Sequence, residues 1–144
     1  YIDAKQIQVK KDDEKKIKII AGKFENAESP IKGHNVEPVY FDVELKKDKE
    51  FNFQVPSTHN SFIYLIDGEI KIGEKLHDKV KNSKLILLTK GEKLRVLGLS
   101  KAKFLLISGK PIGEKIARGG PFVMNTKSEI LQAVQDYHNG TFVK

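Results

Sequence analysis

The sequence contains no cysteine, and arginine is scarce: Arg95 and Arg118 stand among 26 basic residues. Without cysteine, disulfides and thiolate metal sites are excluded. That absence also fits an intracellular protein, with the cytoplasm the expected compartment. No apolar run approaches the roughly 20 residues that a membrane-spanning helix needs. The longest, residues 63–66 and 85–88, have strand length. No membrane partner and no signal peptide are expected. The lack of arginine weakens a nucleic-acid reading, because arginine supplies the commonest bidentate contacts to guanine. The net charge is +7, which can attract phosphates. The lysines are interleaved with acids, as in Lys10-Lys11-Asp12-Asp13-Glu14-Lys15-Lys16 and Lys46-Lys47-Asp48-Lys49-Glu50. That is the pattern of solvated faces and turns. Specific nucleic-acid binding is not expected, and non-specific binding should be weak and salt-dependent.

What is present suits a globular domain. A chain of 144 residues with 39% hydrophobic and 31% charged residues is read as one domain, 1–144. Asp12-Asp13 predicts a turn before a strand in which Ile17, Ile19 and Ala21 alternate with Lys16, Lys18 and Ile20. Ser29-Pro30 and Gly33 mark a loop. Val39, Phe41, Val43 and Leu45 give the clearest period-2 strand. Phe51, Phe53 and Val55 follow, and Pro56 ends them. Asp67-Gly68 between two apolar runs predicts a hairpin over residues 62–72 with a type I′ turn. Residues 85–88 and 104–107 read as short buried strands, and Leu94, Val96 and Leu97 as another. Many short strands at this spacing predict a sandwich or small barrel. Near the end, Thr126-Lys127-Ser128-Glu129 is a capping box. The stripe Ile130, Leu131, Val134 and Tyr137 predicts a helix lying against the barrel, with Gly140 just past its end.

Catalytic signatures are sparse. Ser57, Ser61 and Ser108 lack a nucleophile-elbow context. No phosphate-binding loop is present. Glu114 and Arg118 could form an ion pair across a turn. His34, His77 and His138 read as surface histidines, His138 in the last helical turn. His59 differs: it follows Ser57-Thr58 and precedes Asn60, where it could point into the barrel mouth. No histidine pair has the spacing of a local chelate. A small-molecule pocket near His59, Asn60 and Tyr64 is therefore one expectation, with no catalytic and no metal-binding residue assigned.

Several segments carry a resemblance. Pro111-Ile112-Gly113-Glu114, Gly120-Pro121-Phe122-Val123-Met124-Asn125-Thr126 and Asp136-Tyr137-His138-Asn139-Gly140-Thr141-Phe142 are the most specific. Pro38-Val39-Tyr40-Phe41-Asp42-Val43, His59-Asn60-Ser61-Phe62-Ile63-Tyr64 and Ser29-Pro30-Ile31 match in type. Together they resemble the C-terminal half of the pirin family, two cupin barrels in one chain. Gly119 stands where the family usually has an aromatic-rich neighbourhood before Gly-Pro-Phe. The resemblance implies an all-β fold: a cupin-type double-stranded β-helix (jelly-roll) barrel with one short C-terminal α-helix, in an arm spanning 111–144. It also implies that the chain, which begins at Tyr1, is part of a longer product.

The cupin superfamily's first motif, G-x5-H-x-H-x3,4-E-x6-G, can be anchored on Gly68. Its glutamate position then holds Ser61, and its histidine positions hold Val55 and Ser57, or Gln54 and Pro56. Anchoring the second motif, G-x5-P-x-G-x2-H-x3-N, on Gly91 gives Leu94 and Gly98 for histidine and asparagine. The turn glycines survive and the ligands do not. The resemblance thus implies a metal-free barrel that supports a metal-bearing N-terminal barrel outside this sequence. Iron or another divalent metal is expected only in that first barrel. Some family members are quercetin 2,3-dioxygenases, and eukaryotic members are nuclear co-regulators. The expected partner is the first barrel of the same protein; the C-terminal arm, with Phe122, Val123 and Phe142, either helps form that surface or closes its own barrel. Without it, self-association is expected.

Overall fold

The computed structural model describes residues 2–31 and 35–143. Tyr1, Gly33 and His34 lie outside them. Two compact units are found, Tyr1–Pro111 and Ile112–Lys144. No helix among the described residues is long and apolar enough to cross a membrane.

The first unit is built of antiparallel strands. In chain order they are β1 (Gln8–Lys11), β2 (Lys15–Ala21), β3 (Lys23–Phe24), β4 (Ala27–Glu28), β5 (Val39–Leu45), β6 (Glu50–Gln54), β7 (Asn60–Asp67), β8 (Glu69–Ile72), β9 (Asp78–Lys81), β10 (Lys84–Leu87), β11 (Lys93–Gly98) and β12 (Ala102–Gly109). A six-stranded sheet runs β1-β2-β5-β12-β7-β10, and a four-stranded sheet runs β6-β11-β8-β9. Period-2 alternation turns one face of each sheet inward. Ile17, Ile19, Phe41, Val43, Ile63, Leu65, Phe104 and Leu106 come from the larger sheet, and Phe51, Ile70 and Val96 from the smaller. They form one buried cluster. Five phenylalanines knit its centre: Phe41 meets Phe53 edge-on with centroids 5.0 Å apart, and Phe51 meets Phe104 at 5.6 Å. Phe24 stacks on Phe51 at 5.8 Å. Such geometries suit the ring quadrupoles.

The β1–β2 turn forms as the sequence indicates. Asp12 Oδ1 accepts from the N–H groups of Glu14 and Lys15 at 2.7 and 2.8 Å. These bonds hold the Asp12 carboxyl below the usual aspartate range.

Two local readings are corrected. Residues 62–72 are not a hairpin, because β7 and β8 belong to different sheets. Both edges of β7 are already taken, by β12 and β10, so β8 has no edge to join. Only Gly68 of the Asp67-Gly68 pair has positive φ, +89°, where a type I′ turn needs two. The chain turns a corner there against Lys101 and Ala102; a Cβ on Gly68 would lie 2.7 Å from the Ala102 Cα. Second, β10 is not a buried strand. It is an edge strand with Leu85 59% and Leu87 77% exposed, and Ile86 alone half-buried.

The second unit pairs β13 (Ala117–Gly119) with β14 (Phe122–Met124), then adds α1 (Lys127–His138). Thr126 caps the helix: its Oγ1 accepts from the Glu129 N–H at 3.2 Å, and Glu129 Oε2 accepts from the Thr126 N–H at 2.7 Å. Gly140, at φ +70°, follows the C-cap residue Asn139. The buried stripe differs from the one read in the sequence. Ile130 and Ala133 are buried, whereas Leu131 is 72% and Tyr137 67% exposed. The stripe runs i, i+3, i+4 through Ile130, Ala133 and Val134 and faces the β13–β14 ribbon. Gly119 explains how close the two approach. A Cβ there would overlap the Cγ2 methyl of Ile130. Phe122 rests against Tyr137 and Phe142, with centroids 6.0 and 5.1 Å away. Glu114 is bonded to Asn125 Nδ2 at 2.8 Å rather than to Arg118.

Candidate functional site at the barrel mouth

His59 ends a tight turn after β6, its N–H bonded to the Pro56 carbonyl at 2.9 Å. It shares strand parity with Ser61, Ile63 and Leu65, so it points inward at the start of β7. The residue is 4% exposed. Its Nδ1 lies 3.1 Å from Ser108 Oγ, and Ser61 Oγ donates to the same oxygen at 2.8 Å. Ser61 and Ser108 sit opposite each other in the β7–β12 register. The Ser108 hydroxyl, accepting from Ser61, can donate its hydrogen to Nδ1 or accept from Nδ1–H, according to the tautomer. The second nitrogen, Nε2, is buried and has no hydrogen-bond partner among the described residues. Glu37 Oε2 stands 4.0 Å from it, and that side chain is largely exposed.

The ring sits between two cavities. One, of about 1090 Å³, is open and takes in Phe24, Glu37, Asn52, Phe53 and Gln54. The other, about 400 Å³, takes in Ser61, Glu74, Lys90 and Glu92. Lys90 clasps the turn from outside. Its Nζ donates to the carbonyls of Thr58 and His59, at 3.3 and 3.0 Å, and to Asn60 Oδ1 at 3.0 Å.

Of the three residues read as a pocket, His59 lines both cavities. Asn60 is exposed beside it and held by Lys90. Tyr64 is not brought to them. It points to the outer face of the large sheet, across from Leu85 and Leu105, because it has the parity opposite to Ile63 and Leu65. The sequence reading did not single out Glu37 or Lys90; it weighed Ser61 and Ser108 as nucleophiles, and Ser61 also as the residue at the cupin glutamate position. A signal existed for Ser108. It continues the inward phase of Phe104 and Leu106, where alternation predicts an apolar residue. Glu37 and Lys90 reach the site from loops and leave no periodic trace.

No imidazole and no carboxylate stands at the ligand positions of the cupin motifs. At the ligand positions of the cupin motifs, Val55 and Leu94 lie in the apolar core, and Ser61 bonds to Ser108. No three His, Asp or Glu side chains among the described residues converge to hold an ion. Ser108 is 3% exposed, which hides it from any substrate carbonyl. Ser61 and Ser108 thus hold the imidazole in place through Nδ1.

Elsewhere charges are paired across strands. Arg95 grips Glu50 through two bonds of 2.9 and 2.8 Å, which lowers the Glu50 carboxyl below its usual range. Asp42 meets Lys18 at 3.2 Å and Lys103 at 3.7 Å, and Glu69 meets Lys79 at 2.6 Å.

Comparison with known proteins places this geometry in a family. Residues 40–143 match the family model described as the pirin C-terminal cupin domain. The chain is 34% identical over 127 residues to a pirin-like protein of Caulobacter vibrioides, covering 88% of this chain and 45% of that protein. It is 41% identical over 104 residues to a pirin-like protein of Solanum lycopersicum, covering 71% of this chain and 36% of that one. The chain thus spans less than half the length of these curated relatives. A crystal structure of quercetin 2,3-dioxygenase from Acinetobacter baumannii superposes with a TM-score of 0.83 at 27% identity, covering 98% of this chain and 49% of that one. The jelly-roll reading of the fold agrees with that neighbour. The chain belongs to the pirin family and corresponds to its C-terminal cupin domain.

Proposed function

We propose that this barrel is the non-catalytic half of a two-barrel protein, packing against and supporting a metal-bearing N-terminal barrel. The observation that carries the reading is the loss of the cupin ligand positions to core residues, Val55 and Leu94 above all, within an otherwise intact barrel. Relatives about twice as long as this chain support it. So does the outer face of β7 and β10, where Tyr64, Ile66, Leu85 and Leu87 are 38–77% exposed and adjacent in register. A contiguous apolar face of this kind marks an interaction surface. It also lies on a sheet edge, which proteins commonly cover. The arm read from the sequence as a partner surface is the second candidate. Val123 and Phe142 are 59% and 43% exposed there, while Phe122 is spent on its own aromatic cluster.

A second reading concerns the joined protein. The structural neighbour is a quercetin 2,3-dioxygenase, so oxygenation would belong to the whole, with the metal and its chemistry supplied by the first barrel. Both readings are tested by introducing Leu85→Lys and Leu87→Lys together. The paired variant should keep the stability of the isolated barrel and lose association with the first barrel. Undiminished association would move the interface to the arm. A chain that bound one iron per barrel without the first barrel would overturn the metal-free assignment.

A further inference from the structure

We infer that the free edge of β10 receives an extended segment of the N-terminal barrel as a further strand, so that the two halves of the protein share one sheet. The inference rests on the docking proposed above and adds its mode: backbone pairing at an edge, beyond apolar contact on a face.

The starting point is the direction of the backbone groups. β10 lies at the end of the six-stranded sheet, paired with β7 on one side and with no other strand among the described residues. The Leu88 N–H donates to the Ser61 carbonyl at 3.0 Å, one step beyond the Leu87–Phe62 pair of the register. Antiparallel pairs alternate between hydrogen-bonded and non-bonded. Lys84 and Ile86 therefore turn their N–H and C=O groups toward β7, and Leu85 and Leu87 turn theirs outward. The side chains of these same two residues belong to the exposed face, 59% and 77% accessible. Unpaired backbone and uncovered leucine thus coincide at two positions, two residues apart.

The other three edges show how unusual this is within the barrel. The larger sheet ends on its far side in β1, which carries Lys10 and Lys11. The smaller sheet ends in β6, with Glu50, Asn52 and Gln54 opposite in parity to the core phenylalanines, and in β9, with Lys79 and Lys81. Charged and polar residues of this kind keep an edge from pairing. β10 has one such guard, Lys84, at its first position.

The occupant follows from the chemistry of the edge. Strand addition takes affinity from main-chain bonds and specificity from alternate side chains. An incoming strand bonded to Leu85 and Leu87 sets every second residue on the outer face beside them, and those residues should be apolar. The chain spans less than half the length of its curated relatives, so the remaining half is available to supply the segment. The edge is also continuous with the face of Tyr64, Ile66, Leu85 and Leu87 assigned to that half.

The test uses the isotopically labelled 144-residue chain bound to the unlabelled N-terminal barrel of the same protein, followed by NMR. Isotope-filtered spectra should show contacts from the Leu85 and Leu87 amide protons to backbone protons of the partner. Exchange of the same two amides should slow at least about tenfold on binding. Leu87→Pro removes one outward donor and leaves the bonds to β7 in place. It should weaken binding about fivefold, the effect of one lost hydrogen bond, with the methyl spectrum of the core retained. Binding that shifts the leucine side chains without any backbone contact overturns the inference and leaves docking standing. Unchanged affinity in Leu87→Pro does the same. No binding at all removes the docking reading, and the added strand with it. Contacts between β10 of two copies of this chain that persist beside the first barrel would give the edge to a second copy and overturn the assignment.

Discussion

His59 Nδ1 and Ser108 Oγ meet at 3.1 Å across a sequence separation of 49 residues, inside a barrel wall that is otherwise apolar. The bond fixes the imidazole and leaves Nε2 facing the mouth. Ser108→Ala removes the partner and strands Nδ1 in a buried position. The expected loss is about 1–3 kcal/mol of unfolding free energy. Urea denaturation would measure it. The Ser61→Ala change, which leaves the His59 bond in place, should cost less.

Gly119 is where the ribbon and helix of the C-terminal unit come closest. Gly119→Ala would push a methyl into the Ile130 Cγ2. The β-branched side chain of Ile130 has little rotamer freedom with which to retreat. Destabilisation of about 1–3 kcal/mol is expected from such overpacking. Pairing the change with Ile130→Ala should restore ribbon-to-helix contacts seen by NMR, because the two volumes compensate.

Gly68 and Gly73 separate two reasons for glycine. Both have positive φ, +89° and +97°. Gly68 is crowded by the Lys101 carbonyl and the Ala102 backbone, whereas nothing lies within 4 Å of a Cβ on Gly73. Gly73→Ala should therefore cost about 1–2 kcal/mol, the left-handed penalty alone. Gly68→Ala must also shift backbone, so it should cost clearly more and lower the yield of folded barrel. Equal thermal midpoints for the two variants would contradict the corner described here.

The helix cap gives a pH dependence. The Thr126 hydroxyl and backbone N–H, with the Asn125 N–H, bind the Glu129 carboxylate and hold its pKa below the ordinary glutamate value. A carboxylate with a lowered folded pKa stabilises the fold above its unfolded pKa. That contribution is lost as pH falls through the folded value. Helix content of α1 should thus be constant above about pH 5 and decline in the acid range below the ordinary glutamate pKa. In Glu129→Gln that acid-dependent part of the decline should disappear. Amide exchange of residues 129–133 would record it.

The inward faces of β2, β5 and β12 and the Thr126 cap were legible in the sequence because each depends on a local rule: a period of two, or a four-residue box. The corner at Gly68 was not. A hairpin and a sheet-to-sheet crossing share the same dipeptide, and only the pairing of β7 with β10 and β12 decides between them. Leu85 and Leu87 looked buried because their apolar run carries no polar alternation to reveal an edge. Leu131 looked inward because a four-residue pattern tolerates two helix phases; the steric fit of Ile130 on Gly119 selects one. His59 was visible as a candidate from its place before β7. Its partner Ser108 comes from β12 and its neighbour Glu37 from a distant loop, so the site itself is a product of topology. Tyr64 was drawn into it by nearness in sequence, although strand parity sends it to the outer face.

The central claim is that this barrel docks on a metal-bearing first barrel. The most direct measurement is a calorimetric titration of the chain with the separately produced N-terminal barrel of the same protein. One-to-one binding is predicted, with a negative heat-capacity change from apolar burial. Leu85→Lys with Leu87→Lys should remove it. A stable, monodisperse monomer that shows no heat of binding to the first barrel would contradict the account.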